Sequence, residues 1–186
     1  MDIAALIWDK NTFYLALLES PEAVRELAAK VRLLLTAFLD EWFARYGQDF
    51  VAHFPDYYMS GGISLSEDEI GAVNPDMFYE LFLPELAELS DRYGGLGMHC
   101  CADARHHWPA WQEIPEMRLL NMVQPAAELE VAYGVFGDHT AQMHSWCGDG
   151  DPRSWRFPTG SRVVMGAGAD SRDEARRLVR SLGRHR

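Results

Sequence analysis

DRYGGLGMHCCADARHHW, residues 91–108, holds the segment on which the reading of the whole chain rests. Gly94-Gly95 stops an amphipathic run, Leu96 to Cys101 has the length and apolar content of a buried strand, and a helical pattern resumes near residue 105. A strand entered from one helix and left toward another is the unit from which parallel sheets are built. Side chains alternate along a strand, so Met98 and Cys100 point one way while His99 and Cys101 point the other. A histidine and a thiol therefore converge at the C-terminal end of a strand, where parallel α/β sheets and barrels place their active sites.

The same alternation extends outward from this segment. Upstream, SPEAVRELAAKV opens a helix with Ser20 as N-cap and Pro21 at its first position; Val24, Leu27, Val31, Leu34, Phe38 and Trp42 make its apolar stripe, and Gly47 stops it. A second helix starts at Asn74-Pro75 and ends at Gly94-Gly95, with Pro84 expected to kink or split it. Strands are predicted at residues 49–53, 96–101, 118–122, 140–144 and 162–167, with helices near 105–113 and 126–133 between them. Ser171 and Glu174 have capping-box spacing for a last helix that Gly183 closes. Residues 1–18 carry no pattern that separates an edge strand from an ordered arm. GDGDPRSWRFPTGS, residues 148–161, reads as a long polar loop, functional or mobile. About five strands in a single α/β domain over residues 1–186, parallel with crossover helices, are too few for a (β/α)8 barrel of about 250 residues. The architecture expected is a smaller open sheet or part of a TIM-barrel-like fold.

Composition narrows the function classes. The chain has 186 residues, 48% of them apolar, and a formal net charge of −11. Residues 1–150 hold 8 basic and 24 acidic side chains, whereas residues 151–186 hold 9 and 4. An acidic body argues against nucleic-acid or anionic-membrane partners, and the arginines of DEARRLVRSLGRHR fit the last turns of a solvated helix. With no long apolar span and no basic leader, a cytoplasmic location is expected. The three cysteines, Cys100, Cys101 and Cys147, are odd in number and two are adjacent, which suits reduced thiols.

An imidazole and a thiolate on one strand end suit zinc, and a catalytic zinc takes three protein ligands and keeps one position open. Cys147 is the natural third ligand beside His99 and Cys101, with His144 in reserve. The alternative is a hydrogen-bonded strand histidine with small buried cysteines, and Cys100 belongs to the core on either reading. Asp56, after the strand at 49–53, stands as a proton carrier, an imidazole-orienting partner or a turn aspartate. Asp68, in SLSEDEI, lies in an acidic turn of the kind usually solvated, and His106 and His107 are expected to face solvent or cap a helix. There is no Gly-rich phosphate loop, dinucleotide fingerprint or nucleophile-elbow serine.

Residues 66–122, with Asn74 to Phe78, Pro84, His99-Cys100-Cys101 and Leu119-Leu120-Asn121, resemble the later part of the uroporphyrinogen decarboxylase superfamily; SPEAVRELAAKV and RVVMGAGADSRDEARRLV resemble its flanking elements. The resemblance implies an eight-unit barrel of which this chain corresponds to roughly the C-terminal half, completed by a homodimer or by a chain supplying the missing units. In the family's corrinoid-linked and thiol methyltransferases, H-x-C plus a distant cysteine binds zinc. This implies zinc at His99, Cys101 and Cys147, a methyl group passed to a thiol, and a small-molecule or corrinoid-protein methyl donor. The sequence departs from that pattern in having Ala102 where the family has glycine, and in an early Cys147. The decarboxylase branch implies metal-free chemistry with Asp56 or Asp68 steering a pyrrole, but no arginine precedes Arg25 to clamp a polycarboxylate. The third expectation is a non-catalytic half-barrel that needs a partner chain.

Overall fold

Residues 1–18 are neither an edge strand nor an arm. In the computed structural model, which describes residues 1–49, 51–53, 57–59, 61–137, 139–145, 157–166 and 168–182, they lie in helices α1 (Asp2–Trp8) and α2 (Lys10–Glu19). Asp9, at φ 86°, breaks the two and caps α2 by accepting from the Thr12 N–H at 3.2 Å. Helix α3 (Pro21–Tyr46) then runs unbroken from Pro21 to Gly47, whose φ of 79° ends it. Ser20 precedes it without a side-chain cap. The Asn74-Pro75 helix divides before Pro84, as expected, into α4 (Pro75–Leu81) and α5 (Leu83–Tyr93). Asn74 accepts from the Met77 N–H at 2.9 Å, and Gly94 supplies a left-handed C-cap at φ 72°.

The face that α3 buries differs from the expected stripe. Val24 and Ala28 are buried and Val31, Leu35, Leu39 and Phe43 pack partly against the core, whereas Leu34, Phe38 and Trp42 are 61%, 58% and 47% exposed. The apolar spacing of this helix fits two adjacent faces, and the one turned inward also forms ion pairs to α5. Arg32 pairs with Glu85 and with Glu88, and Asp40 accepts from Arg92 at 2.5 Å and from the Tyr93 hydroxyl at 2.8 Å.

Three-residue strands β1 (Val51–His53) and β2 (Tyr57–Met59) form an antiparallel ribbon. The expectation of a main-sheet strand at residues 49–53 is thus corrected: β1 pairs instead with β2. The slot beside the central strands goes instead to β3 (Ile63–Ser66), whose Ser-rich sequence ISLS hides its character. It is followed by β4 (Leu96–Cys100), β5 (Met117–Met122), β6 (Ala141–Ser145) and β7 (Arg162–Gly166). These five strands make a parallel sheet in strict chain order, β3-β4-β5-β6-β7. A short α6 (Trp108–Trp111) links β4 to β5, and α7 (Ala126–Phe136) links β5 to β6. After β7, α8 (Arg172–Leu182) starts at Ser171, whose hydroxyl accepts from the Glu174 N–H at 3.2 Å, while the Glu174 carboxylate accepts from the Asp170 N–H at 3.0 Å. Gly183 lies outside the described residues.

Right-handed crossovers between successive neighbours put every connecting helix on one face of such a sheet. The core bears this out: Leu96, Met98, Cys100, Leu120 and Met122 join one continuous cluster to which α1 through α7 all contribute. The opposite face carries a smaller cluster of Met59, Leu119 and Met143, with the ribbon's Val51 and Tyr57 packed against it. Gly97 is what lets the ribbon lie so close, because a Cβ there would sit 2.5 Å from Met59 Sδ and 2.9 Å from His53 Nδ1. His53 is fully buried beneath it and shares a 2.8 Å hydrogen bond with the Ser64 hydroxyl.

Gly97→Val should therefore lift the ribbon and cost about 1–3 kcal/mol in urea unfolding. Gly134→Ala, in α7 with open space around the position, should instead raise stability by up to about 1 kcal/mol. Desolvation, then the charge of nearby His99, lowers the His53 imidazole from 6.5 to about 4. Because the fold favours the neutral ring, this contribution is complete above the ordinary histidine pKa and is lost as pH falls from 6.5 toward 4. A pH series of urea midpoints should show that loss, and His53→Phe should flatten it.

Candidate metal centre

The turn after β3 is held from two sides. On one, the Asp2 carboxylate of α1 accepts from the Asp68 and Glu69 N–H groups at 2.9 and 3.0 Å, which caps a 3-10 turn over Asp68–Ala72. On the other, His107 Nε2 donates to the Ile70 carbonyl at 3.0 Å and His106 Nε2 to the Val73 carbonyl at 2.9 Å. His106 is exposed, as expected, but His107 is fully buried, a correction to the solvent-facing expectation. Its ring spans from the loop after β4 to the turn after β3, a tertiary contact that its position in a polar run conceals.

Asp68 is consequently only partly exposed and tied into the site. Its Oδ1 accepts from the Cys101 N–H at 2.7 Å and lies 3.7 Å from His99 Nε2. Burial pushes the carboxyl up, but the Cys101 N–H and thiol, the neighbouring His99 and the Ser66 hydroxyl outweigh it and hold the group below the ordinary carboxylate range. Conversely, the hydrogen bond to Asp68, followed by desolvation, pushes the Cys101 thiol up. Adjacent Cys100 is buried in the helix-side core, and desolvation takes its thiol to about 12, the inert cysteine expected.

Asn121 of β5 fixes the histidine. Its Nδ2 donates to the Met143 carbonyl at 3.0 Å, which orients the amide so that Oδ1 meets His99 Nδ1. An amide oxygen only accepts, so Nδ1 donates and the ring turns its Nε2 toward Asp68. His99 Nε2 and Asp68 Oδ1 thus lie 3.7 Å apart, a separation at which the two can ligate one cation. The Asp68 carboxylate, His99 ring and Cys101 thiol offer ligand atoms that all lie within 4.8 Å of one another. A tetrahedral zinc with bonds of 2.0–2.3 Å needs neighbouring donors about 3.3–3.8 Å apart, so the set closes on one ion with small side-chain adjustments.

Of the residues singled out in the sequence, His99, Cys101 and Asp68 come together. Cys147 and Asp56 lie outside the described residues, and His144 stands in β6, two strands from His99. Asn121 and Asp2 were not singled out as site residues. A polar residue inside the apolar strand MRLLNM is the signal for Asn121, whereas Asp2 reaches the site only through the packing of α1. No protein-family model, curated protein or solved structure matches the chain.

Asp68→Asn removes the carboxylate that raises the Cys101 thiol, so the thiol should ionise at lower pH. On metal-stripped protein near pH ~8, iodoacetamide should then alkylate Cys101 faster while Cys100 stays protected, as read by site-resolved mass spectrometry. An unchanged Cys101 rate would show that Asp68 does not hold the thiol.

Proposed function

We propose that His99, Cys101 and Asp68 hold a zinc ion, and that the chain is a methyltransferase-type member of the uroporphyrinogen decarboxylase superfamily that moves a methyl group to a thiol. The observation that carries this reading is the meeting of three donors of different chemistry at the C-terminal ends of neighbouring parallel strands. Imidazole, thiolate and carboxylate together suit zinc, and three protein ligands leave a position for a substrate thiol. Cys147, two residues past the end of β6, would be an alternative third ligand to Asp68, so that the fourth position stays open. Bound there, zinc would lower the pKa of a thiol so that it is present as thiolate. The chain's own part is to hold the donors: Asn121 sets the His99 tautomer, and the Cys101 N–H and Asp2 fix the turn that presents Asp68.

The finer fold assignment belongs to the same proposal. Five parallel strands in chain order, with helices on one face, are what an arc of a (β/α)8 barrel would look like, and a doubly wound sheet would reverse direction at a switch point. The carboxylates at the site, Asp2 and Asp68, favour a cation over the polycarboxylate substrate of a metal-free decarboxylase.

Purified protein should carry about one zinc per chain by elemental analysis. His99→Ala, Cys101→Ser and Asp68→Asn should each lose it, and Asn121→Leu should weaken binding roughly 10- to 100-fold. With methylcobalamin as donor and a simple alkanethiol as acceptor, the zinc-loaded protein should accelerate demethylation and the chelated protein should not. Zinc-free protein that is fully active would overturn the reading.

A further inference from the structure

Trp42 and Phe38 are large aromatic side chains left in water on a helix whose other face is already packed. Leu34, Phe38, Trp42 and Tyr46 follow each other at four-residue spacing along α3 and are 61%, 58%, 47% and 69% exposed. Phe38 stacks on Trp42 at 5.9 Å between ring centroids, and Trp42 meets Tyr46 at 4.5 Å, so they form one continuous ridge. At 150–250 Å² per aromatic side chain, the ridge exposes on the order of 400–500 Å², the size at which an apolar patch usually marks an interaction site. Beside it, a shallow groove between α3 and the ribbon runs to Ile63 and Ser64 of β3, an edge strand of the sheet.

The charges flanking the ridge identify what covers it. Glu26 pairs with Lys30 at 2.6 Å toward the N-terminal end of α3, and Glu41 pairs with Arg45 toward the C-terminal end. The sign order is therefore acid, base, acid, base along the helix. We propose that a second copy of this chain docks on the ridge, the two α3 helices crossing antiparallel about a two-fold axis near Thr36. That operator sets Leu34 of one copy against Phe38 of the other. It also brings Lys30 opposite Glu41 and Glu26 opposite Arg45, twice each by symmetry. A parallel pairing in register would set like charges side by side. Leu34 and Phe38 of the two copies make the apolar centre, and Trp42 and Tyr46 lie toward the partner's Lys30 and Glu26, so the contact is small and of the weak, concentration-dependent class. The contact lies on α3, away from Asp68, His99 and Cys101, and does not depend on what that site binds.

Sedimentation velocity from about 1 to about 100 µM should show a monomer becoming a dimer as concentration rises. Phe38→Glu with Trp42→Glu, both on an exposed face, should leave a folded monomer at every concentration, with circular dichroism confirming the fold. Val179→Glu, exposed on α8, should leave the dimer unchanged. Lys30→Glu alone should weaken dimerisation at low salt, and adding Glu41→Lys in the same chain should restore it, because only a self-complementary contact rescues itself. A wild type that stays monomeric throughout, a dimer indifferent to the Phe38 and Trp42 changes, or failure of the charge-swap rescue would each overturn the proposal. Monomers that associate only with a different chain would do so too.

Discussion

One rung of the parallel sheet sets the geometry of the site. Ser66 of β3 stands beside His99 of β4, His99 beside Asn121 of β5, and Asn121 beside Met143 of β6. Neighbouring strands lie about 4.8 Å apart, so the rung puts the His99 ring within reach of the Asn121 amide and that amide within reach of the Met143 carbonyl. Asp68 and Cys101 each come two residues after a rung position, past the ends of their strands, where the Asp68 carboxylate bonds the Cys101 N–H. A slip of one residue in β4 would turn His99 into the helix-side core and bring Met98 to the ribbon face.

The two faces of the sheet keep that register in place by different means. Helix-side residues of β4 and β5 enter a large continuous core, where each fully buried leucine or methionine contributes about 1.5–3 kcal/mol. The ribbon side is thinner and mixed: Met59, Leu119 and Met143 are apolar, but His53, Ser64, His99 and Asn121 share the same layer. Ser64 bonds His53 and Asn121 bonds His99 there, and Gly97 provides the space. The sheet is thus anchored on its helix face and carries its chemistry on the other.

Parts of this were legible along the chain because they rest on local chemistry. Proline at a helix start and glycine at its end mark α3 and the split between α4 and α5, since the backbone freedom of those residues is intrinsic. The apolar run at β4 and the alternation that puts His99 and Cys101 on one face are equally local. β3 was not legible: four residues reading ISLS hold no strand signal until β4 lies beside them. The rotation of α3 was not legible either, because Leu34 and Leu35 fit two faces equally and only packing against the rest of the core turns Leu35 inward.

By itself the sequence determined an acidic α/β chain of parallel strands and crossover helices, with an imidazole and a thiol paired at one strand end. Those follow from residue type and from periods of two and 3.6, which any segment carries within itself. The tertiary structure decided the chain-ordered sheet, the ribbon on its far face, the burial of His107 and the arrival of Asp68 beside His99 and Cys101. Each of these joins residues far apart in the chain, Asp68 and Cys101 by 33 positions and Asp2 and Asp68 by 66. Such contacts depend on how whole elements pack, and no local pattern encodes them.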